Sequence, residues 1–478
     1  QNANWYSFRF DFKPKFKYDI IRPSLIISNA IDFGIIQFFS QATTACGGDF
    51  DSLMVKFRSV ATSVNDNKPY YFRDGDLGLS IRASLAFPFV FEPVSYKGMV
   101  LLDGGMYDNF PYKIMVEDFN PDVIIGCLVS DNFPPAKADD IISVVQNVFM
   151  QNMELTMPEN SVLIEPAVLD IGLLEFEKVH QLVDSGYNSC MEKMPQILEM
   201  ISRRETESER REKRDKFNHK KPPLFFYKIE AEGVNEKQEE YISVMIDKNK
   251  DILSAKEVDK NYSLIQADNV IQSITPQAIY DTTHNQYILN LRIKEKRHFE
   301  ASLGGNFSIG GQSQGYLGVK FRDFNRHSWS TTLDGYFGSF YNSINLSNRI
   351  NYPSNALLYA IADIGVNHKD YQGTTPTINM NRKTTYLIQR EIHGCLKLGL
   401  SLSKRSDLSL SAAYFNTNDR FYNTERYSSE DTNDEDIFKG ANINLCFSHN
   451  TLNDKTYPTK GTKFRAKIEN TFGTEEYI

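Results

Sequence analysis

The C-terminal part of the chain, from about Phe299 onward, alternates polar and apolar side chains, and this pattern restricts the fold more than any other feature of the sequence. The alternation is uninterrupted in Phe299–Ser308 and again in Leu396–Ser403. Because neighbouring side chains of a β-strand point to opposite faces, each segment predicts a strand with one apolar and one polar face. Segments of about ten residues recur between turn-like clusters such as Asn416–Asp419 and a longer insert, Tyr427–Asp436, as in transmembrane strands.

This repetition favours a membrane barrel over a soluble β-sandwich, although both have a period of two. About ten such segments precede Ile478, and no closing strand follows the last of them, Gly461–Phe472. An open edge in lipid costs several kcal/mol for each unpaired backbone group. We therefore expect residues 297–478 to form the N-terminal part of an antiparallel transmembrane β-barrel, cut at its C-terminal end, in a bacterial outer membrane.

Composition limits the classes of partner and cofactor. Aromatic residues make up 13% of the chain, a high share for a soluble enzyme, and the aromatic girdles of a barrel would raise it. The net charge of −8 argues against a nucleic-acid partner. The five cysteines are scattered and show no C-x-x-C spacing, and the turn-forming segments Gly47–Asp49 and Asp74–Asp76 lack further carboxylates at calcium-loop spacing. We expect neither a metal nor a cofactor.

Residues 224–296 predict a compact domain with the element order β-α-α-β-β. A strand-like run, Phe225–Ala231, is followed by two helix-prone segments that begin after Asn235 and Ser254, and then by a closing hairpin over Asn269–Tyr280 and Gln286–Glu295. This order resembles a POTRA domain, the periplasmic module that precedes outer-membrane assembly and transport barrels. Residues 202–223 form a charged linker, because nine basic and five acidic residues lie between positions 203 and 221.

Residues 1–201 predict an α/β domain. The runs Leu53–Val60 and Val123–Val129 are β-rich, and Phe176–Met200 is helical. The run Val123–Val129 is apolar on both sides, which predicts a central strand with both faces covered. After the apolar stretch Ile81–Val94, a short strand leads into Asp103-Gly104-Gly105, a setting that can hold one carboxylate toward a cleft.

This domain resembles the C-terminal part of a patatin-like phospholipase, an α/β fold of three layers. The elements that carry the resemblance occur in the order of that family: Pro23–Ser28, Phe57–Ala61, Arg82–Pro88, Asp103–Gly105 with Asn109–Pro111, and Pro121–Val129. In that family a serine in a G-x-S-x-G elbow attacks the lipid ester, and the aspartate of the D-G-G motif acts on that serine without a histidine. The resemblance implies that Asp103 is the catalytic general base and that Gly104 and Gly105 allow the tight turn beside it.

The sequence departs from the family at the nucleophile. Neither the glycine-rich oxyanion segment nor the serine elbow is found before Asp103. The one G-x-S-x-G, around Ser313, lies between two barrel-like strands and is interpreted as a turn. His180 is the one histidine in the first 200 residues, and its amphipathic surroundings indicate a helix surface rather than a catalytic triad. We expect the chain to be truncated at both ends and inactive by itself.

Two functional hypotheses follow, and a third, a soluble two-domain β-rich adhesin whose residues 299–478 would stay soluble without detergent, ranks below both. The first is an outer-membrane-anchored patatin-like serine acyl hydrolase that cleaves phospholipids or related acyl esters through a Ser-Asp dyad, with Asp103 as its base. The second is an outer-membrane assembly or secretion barrel protein whose patatin-like domain is catalytically degenerate. Under both, the outer membrane is the partner surface, and the sequence is compatible with a homo-oligomer.

Overall fold

The computed structural model describes residues 6–11, 29–129, 144, 156–168, 171, 175–246, 251–266, 268–306, 313–354, 357–371, 387–403, 405–422, 432–452 and 458–478. The chain divides into two compact units. We call residues 22–224 with 278–286 the α/β unit, and residues 1–21, 225–277 and 287–478 the sheet unit. In the described part of the chain, no helix is both long and apolar enough to cross a membrane.

The core of the α/β unit lies between a four-stranded sheet and two helices. In spatial order the strands are β3, β2, β5 and β4, with the bounds Lys68–Phe72, Ser59–Ser63, Met99–Asp103 and Val94–Tyr96. All five residues of β2 are buried. Helices α1 (Asn29–Ala45) and α2 (Leu77–Ser84) pack together, and α2 packs on β2. These elements enclose an apolar core of Phe50, Ala61, Phe72, Leu77, Ala83 and Leu101.

Local sequence signals explain the helix positions in this unit. Asp76 caps α2, because its Oδ1 accepts hydrogen bonds from the backbone N–H groups of Gly78 and Leu79 at 2.8 and 3.2 Å. Arg82 on α2 forms a buried ion pair with Asp32 on α1 at 2.6 Å. Helix α3 (Tyr112–Phe119) follows the Asp-Gly-Gly segment and ends at Asn120, which adopts the left-handed conformation with φ 41°.

Two of the predicted strands of this unit need correction. The run Leu53–Val60 is wrong over most of its length, since the strand begins at Ser59 and the preceding residues follow a 3₁₀ turn, Phe50–Ser52. Within Val123–Val129 the strand β6 (Ile124–Cys127) does form, but its description as a central strand with both faces covered is wrong for the described residues. There, β6 pairs with β7 (Ser161–Ile164) alone, and the side chain of Ile125 is exposed.

The helical prediction for the end of this unit is confirmed. A 3₁₀ turn, Phe176–Lys178, leads into α4 (Val179–Met200), which packs on β7. Helix α5 (Glu207–Asn218) lies inside the predicted linker and is exposed along its length. It begins with a capping box, in which the Thr206 hydroxyl accepts from the Glu209 N–H at 3.2 Å and the Glu209 carboxylate accepts from the Thr206 N–H at 2.8 Å.

The predicted β-α-α-β-β order is confirmed in the sheet unit, with one short additional strand. The elements are β8 (Phe225–Glu232), α6 (Glu236–Ile246), β9 (Leu253–Ser254), α7 (Ala255–Gln266), β10 (Ile271–Asp281) and β11 (Gln286–Glu295). The strands lie in the order β10, β11, β8, β9, and β8 runs parallel to β11. The predicted apolar face of β11 is buried, with at most 4% exposure for Tyr287, Leu289, Leu291 and Ile293.

The alternating tract forms one large antiparallel sheet, as predicted. In the described residues, nine strands are each paired with the next along the chain: β12 (Phe299–Asn306), β13 (Gln314–Phe324), β14 (Ser328–Gly338), β15 (Tyr341–Tyr352), β16 (Leu357–Asp370), β17 (Leu387–Ser403), β18 (Ser406–Phe421), β19 (Asp434–Asn450) and β20 (Lys463–Tyr477). The pairings β12–β13 and β18–β19 are continuous in register, which keeps apolar residues opposite one another across the sheet.

The faces of this sheet have the reverse polarity of a soluble sandwich. The apolar face is the exposed one, with side-chain exposures of 43–74% for Leu303, Leu317, Leu333, Leu346, Ile364, Leu396, Leu398, Leu410, Ile443, Leu445 and Ile468. The opposite face carries polar contacts that are more buried: Arg322 binds Glu300 at 2.7 Å, and the Tyr359 hydroxyl donates to Asp407 at 2.9 Å. An apolar outer band over a polar inner face is the pattern of a transmembrane barrel.

One segment lies in a different unit from the one that the sequence predicts. The domain prediction placed the start of the chain in the α/β domain, whereas β1 (Tyr6–Asp11) pairs antiparallel with β12 at the edge of the large sheet. Its register joins Phe8 to Leu303 and Arg9 to Ser302. A six-residue strand of alternating polarity fits an edge of either kind of sheet, so its sequence alone does not assign it to one unit.

A buried polar network joins the β-α-α-β-β domain to the large sheet. Asp268 is 1% exposed, and its carboxylate accepts hydrogen bonds from the hydroxyls of Tyr241 and Ser328 at 2.5 and 2.8 Å and from Asn351 Nδ2 at 3.1 Å. Because Ser328 starts β14 and Asn351 lies near the end of β15, the network fixes the domain at one end of these strands.

Candidate functional site

The candidate site is the end of β5, where the chain leaves the sheet of the α/β unit. Asp103 is the last residue of β5 and lies opposite Ala61 on β2. Opposite residues of an antiparallel pair share a face, so the Asp103 side chain lies on the same face as Ala61, a core residue. The carboxylate is therefore placed at the border of the apolar core rather than in open solvent.

This position alters the acidity of Asp103. Burial raises the pKa of its carboxyl group to about 6, and the Gly105 N–H, which donates to Oδ1 at 2.8 Å, opposes part of that rise. No other hydrogen bond to this carboxylate is found within the described residues. A carboxylate of this acidity is ionised at pH 7 yet takes up a proton readily, which suits a general base.

The two glycines of the motif have different tasks. Gly104 is required by space, because a Cβ atom there would lie 2.5 Å from the carbonyl oxygen of Val60 on β2. Gly105 is buried and supplies the N–H that binds the carboxylate. Neither glycine has a positive φ, so tight packing against β2, rather than left-handed conformation, explains Gly104.

The turn that follows Asp103 is held by hydrogen bonds of Asp108, which comes after it in the chain. The residues Gly104–Met106 form a 3₁₀ turn, and the Asp108 N–H donates to the Gly104 carbonyl at 2.9 Å. The Tyr71 hydroxyl on β3 donates to the Asp108 carboxylate at 2.6 Å. Burial raises the pKa of Tyr71, and this hydrogen bond raises it further. Asp108 thus ties the motif to β3, the strand on the far side of β2.

Asp103, Gly104 and Gly105 are consecutive and lie together at the end of β5. The two residues set aside from the sequence as triad member or nucleophile belong to other elements. His180 is exposed on α4, as predicted. Ser313 directly precedes β13 in the sheet unit, so it does not stand between a strand and a helix. Gly311 and Gln312 of that G-x-S-x-G lie outside the described residues.

Sequence reasoning missed Thr62. This residue on β2 is 1% exposed, and its hydroxyl donates to the carbonyl oxygen of Asp103 at 2.8 Å. The contact joins residues that are 41 positions apart, and a threonine in a β-rich run is ordinary, so no local signal identifies it. The carbonyl oxygen of Ala86, which accepts from the Asp103 N–H at 3.0 Å, was missed for the same reason.

Comparison with known proteins shows which family the region around Asp103 matches. Residues 10–116, which include Asp103, match the family model of patatin-like phospholipases. An uncharacterized NTE family protein of Mycobacterium tuberculosis is 24% identical over 158 residues, which cover 27% of this chain and 27% of that protein. The lysophospholipase nte1 of Aspergillus terreus is 23% identical over 172 residues, 35% of this chain and 11% of its own length. The chain thus spans about a quarter or less of these curated relatives.

Two solved structures are similar to the chain at low scores. BamA from Haemophilus ducreyi lacking POTRA domains 1–3 gives a TM-score of 0.38 at 17% identity and covers 52% of this chain and 48% of that one. CdiB from Acinetobacter baumannii gives 0.33 at 12% identity, with 54% and 48% covered. The assignment of the large sheet therefore depends on its own strand order and face polarity. The N-terminal region carries a patatin-like phospholipase domain, and Asp103 lies in the part that matches the family.

Proposed function

We propose that this chain is part of an outer-membrane-anchored patatin-like hydrolase that cleaves phospholipids or related acyl esters, with Asp103 as the catalytic base. The observation that carries the proposal is the carboxylate of Asp103, which is half-buried, free of a cationic partner among the described residues, and held by one backbone N–H. A carboxylate stabilised by an arginine would be a weaker base, because the opposite charge favours the ionised form.

In the proposed reaction Asp103 accepts the proton of a serine hydroxyl as the serine oxygen attacks the ester carbonyl. Asp103 returns this proton to the alcohol oxygen as the ester C–O bond breaks. Water then attacks the acyl-serine while Asp103 accepts a proton from it, and that proton passes to the serine oxygen as the carboxylic acid leaves. The Gly105 N–H keeps one oxygen of the carboxylate occupied, which leaves Oδ2 for the serine. No histidine is needed in this scheme, in agreement with the exposed position of His180.

Residues 1–102 contain no G-x-S-x-G segment that could supply this serine. We propose that residues 1–478 alone do not hydrolyse esters. An ester-hydrolysis assay on the purified chain should give no rate above that of the Asp103→Ala variant. A rate that Asp103→Ala abolishes would mean that the chain holds a nucleophile of another pattern, and this part of the proposal would be wrong.

The role of Asp103 is tested in a protein that carries a G-x-S-x-G serine segment ahead of this chain. We expect kcat/KM to rise with pH through an apparent pKa of about 6, because the base must be ionised. Asp103→Asn should lower kcat by about 10²- to 10⁴-fold. Asp66→Asn, which neutralises an exposed carboxylate beside the same sheet, is the matched control and should change neither value.

We propose further that the large sheet inserts in the outer membrane with its exposed apolar face toward lipid. Leu396→Arg places a charge in that face and should reduce insertion by about 2–4 kcal/mol if the residue lies near the bilayer midplane. Gln389→Arg is the control on the same strand β17, because Gln389 lies on the opposite face and its amide donates to Asp419. Equal recovery of both variants in the membrane fraction would contradict the orientation.

The alternative is an assembly or secretion protein with a degenerate hydrolase domain. A complete reading frame without a G-x-S-x-G segment before Asp103 would favour it. The two functions make opposite predictions for the intact protein. If it fails to hydrolyse any acyl ester while Asp103→Asn leaves secretion or assembly unchanged, the alternative holds and the role of Asp103 is structural.

A further inference from the structure

We propose that Thr62 is a positioning residue for Asp103, a role that rests on the proposed function of Asp103 as a base. The hydroxyl of Thr62 donates to the carbonyl oxygen of Asp103 at 2.8 Å, and Thr62 is 1% exposed. The contact does not touch the reacting atoms. It fixes the peptide unit between Asp103 and Gly104, and through it the direction of the carboxylate.

The geometry around Asp103 shows how this works. On the N-terminal side, the Asp103 N–H donates to the carbonyl oxygen of Ala86 at 3.0 Å. On the C-terminal side, the Asp103 carbonyl accepts from Thr62. Both peptide planes next to the Cα atom are therefore held, which fixes φ and ψ at −49° and 134° and with them the direction of the Cα–Cβ bond. Only the side-chain torsions remain, and the Gly105 N–H restricts these.

Thr62 binds the Asp103 carbonyl at the point where the pairing of β2 with β5 ends. The pair of Ala61 and Asp103 is the last of the β2–β5 ladder, and the chain then enters the 3₁₀ turn at Gly104. This carbonyl is partly buried, so it is stabilised by a donor from elsewhere. Thr62 supplies it from the adjacent position on β2. Valine would fill the same space and suit a buried strand equally well, so packing alone does not require the hydroxyl.

The experiment measures the acidity of Asp103 in the whole chain in detergent. Carbodiimide with an amine labels protonated carboxyl groups, so the extent of labelling of Asp103 by mass spectrometry against pH gives its apparent pKa. Thr62→Val removes the donor and keeps the shape, and Thr62→Ser restores the donor. Ser63→Ala is the matched control, because Ser63 is also buried on β2 but its hydroxyl binds Asp66 at 2.8 Å.

We expect Thr62→Val to lower the labelling midpoint from about 6 by at least one pH unit, a tenfold change in the proton affinity, because a carboxylate that is no longer held turns toward water. Thr62→Ser should keep the wild-type midpoint, and so should Ser63→Ala. The proposal is overturned if Thr62→Val keeps the wild-type midpoint, or if Ser63→Ala shifts it equally. If Thr62→Val does not fold, Thr62→Cys, with its weaker donor, replaces it under the same criteria.

A second measurement separates this proposal from the proposed function. In an intact protein with the serine segment, Thr62→Val should lower kcat about tenfold or more at unchanged KM, with rescue by Thr62→Ser. If the intact protein does not hydrolyse esters, the proposed function is refuted, but the labelling of Asp103 still tests the role of Thr62. Full hydrolysis by Thr62→Val would refute the positioning role alone.

Discussion

Replacing Asp103 by asparagine should stabilise the sheet of the α/β unit at neutral pH and leave it unchanged in acid. Asparagine keeps the shape of the side chain and an oxygen that accepts the Gly105 N–H, but it removes the negative charge. The perturbation therefore isolates the cost of holding an ionised carboxylate at the border of an apolar core.

The magnitude follows from the acidity of Asp103 in the two states. Its pKa is raised from 3.8 to about 6 in the folded protein, so the folded state binds the proton more tightly. The stability that this proton contributes is fully present below pH 3.8 and is lost as the pH rises through 6. The difference corresponds to about 3 kcal/mol at pH 8, and partial exposure to water reduces it to about 1–2 kcal/mol.

Hydrogen exchange of backbone amides measures this difference without unfolding the large sheet. The free energies of opening of peptides that cover residues 59–63 and 99–103 should be equal in wild type and Asp103→Asn at pH 4. At pH 8 the variant should be more stable by the amount given above. Asp66→Asn, the exposed control, should follow the wild type at both pH values.

One result would refute the reasoning. If wild type and Asp103→Asn differ by the same amount at pH 4 and pH 8, the carboxylate does not have a raised pKa in the folded state. Asp103 would then be a well-solvated turn residue, and both its proposed role as a base and the pH dependence predicted for kcat/KM would lose their physical ground.

Three further outcomes are expected from substitutions elsewhere. Gly104→Ala should destabilise the α/β unit by about 1–3 kcal/mol, because its Cβ would press on the Val60 carbonyl at 2.5 Å, as hydrogen exchange of β2 would show. Gly34→Ala, in open space within α1, should instead stabilise the same unit by about 0.5–1 kcal/mol. Asp268→Ala should release the β-α-α-β-β domain from the large sheet at a cost of at least about 3 kcal/mol, seen as faster trypsin cleavage within α6, whereas unchanged cleavage would contradict the network.

The parts of the fold that the sequence predicts well are those set by local chemistry. Asn235 accepts from the N–H groups of Lys237 and Gln238, and Ser254 binds the N–H and carboxylate of Glu257, so both helix starts are visible as capping residues. The strand Gln286–Glu295 has the predicted bounds because its polarity alternates from Leu289 to Lys294.

The parts that were missed depend on contacts between distant positions. Ser59–Ser63 mixes small and polar residues, and only its position between β3 and β5 makes it a buried strand. The Thr62 contact to Asp103 likewise exists only after β2 and β5 pair. The motif containing Asp103 could be found from its order among other elements, but what holds it in place could not.

The buried Asp268 and the half-buried Asp103 hold their carboxylates in different ways. Asp268 is saturated by Tyr241, Ser328 and Asn351, so its charge is spread over several donors and no lone pair is left for a substrate. Asp103 has one backbone donor among the described residues and lies beside apolar side chains. If stability alone governed both sites, Asp103 would be apolar or fully bonded, because an under-bonded buried charge is costly. Asparagine should therefore weaken the protein at Asp268 and strengthen it at Asp103, and this opposite sign would support the role that we propose for Asp103.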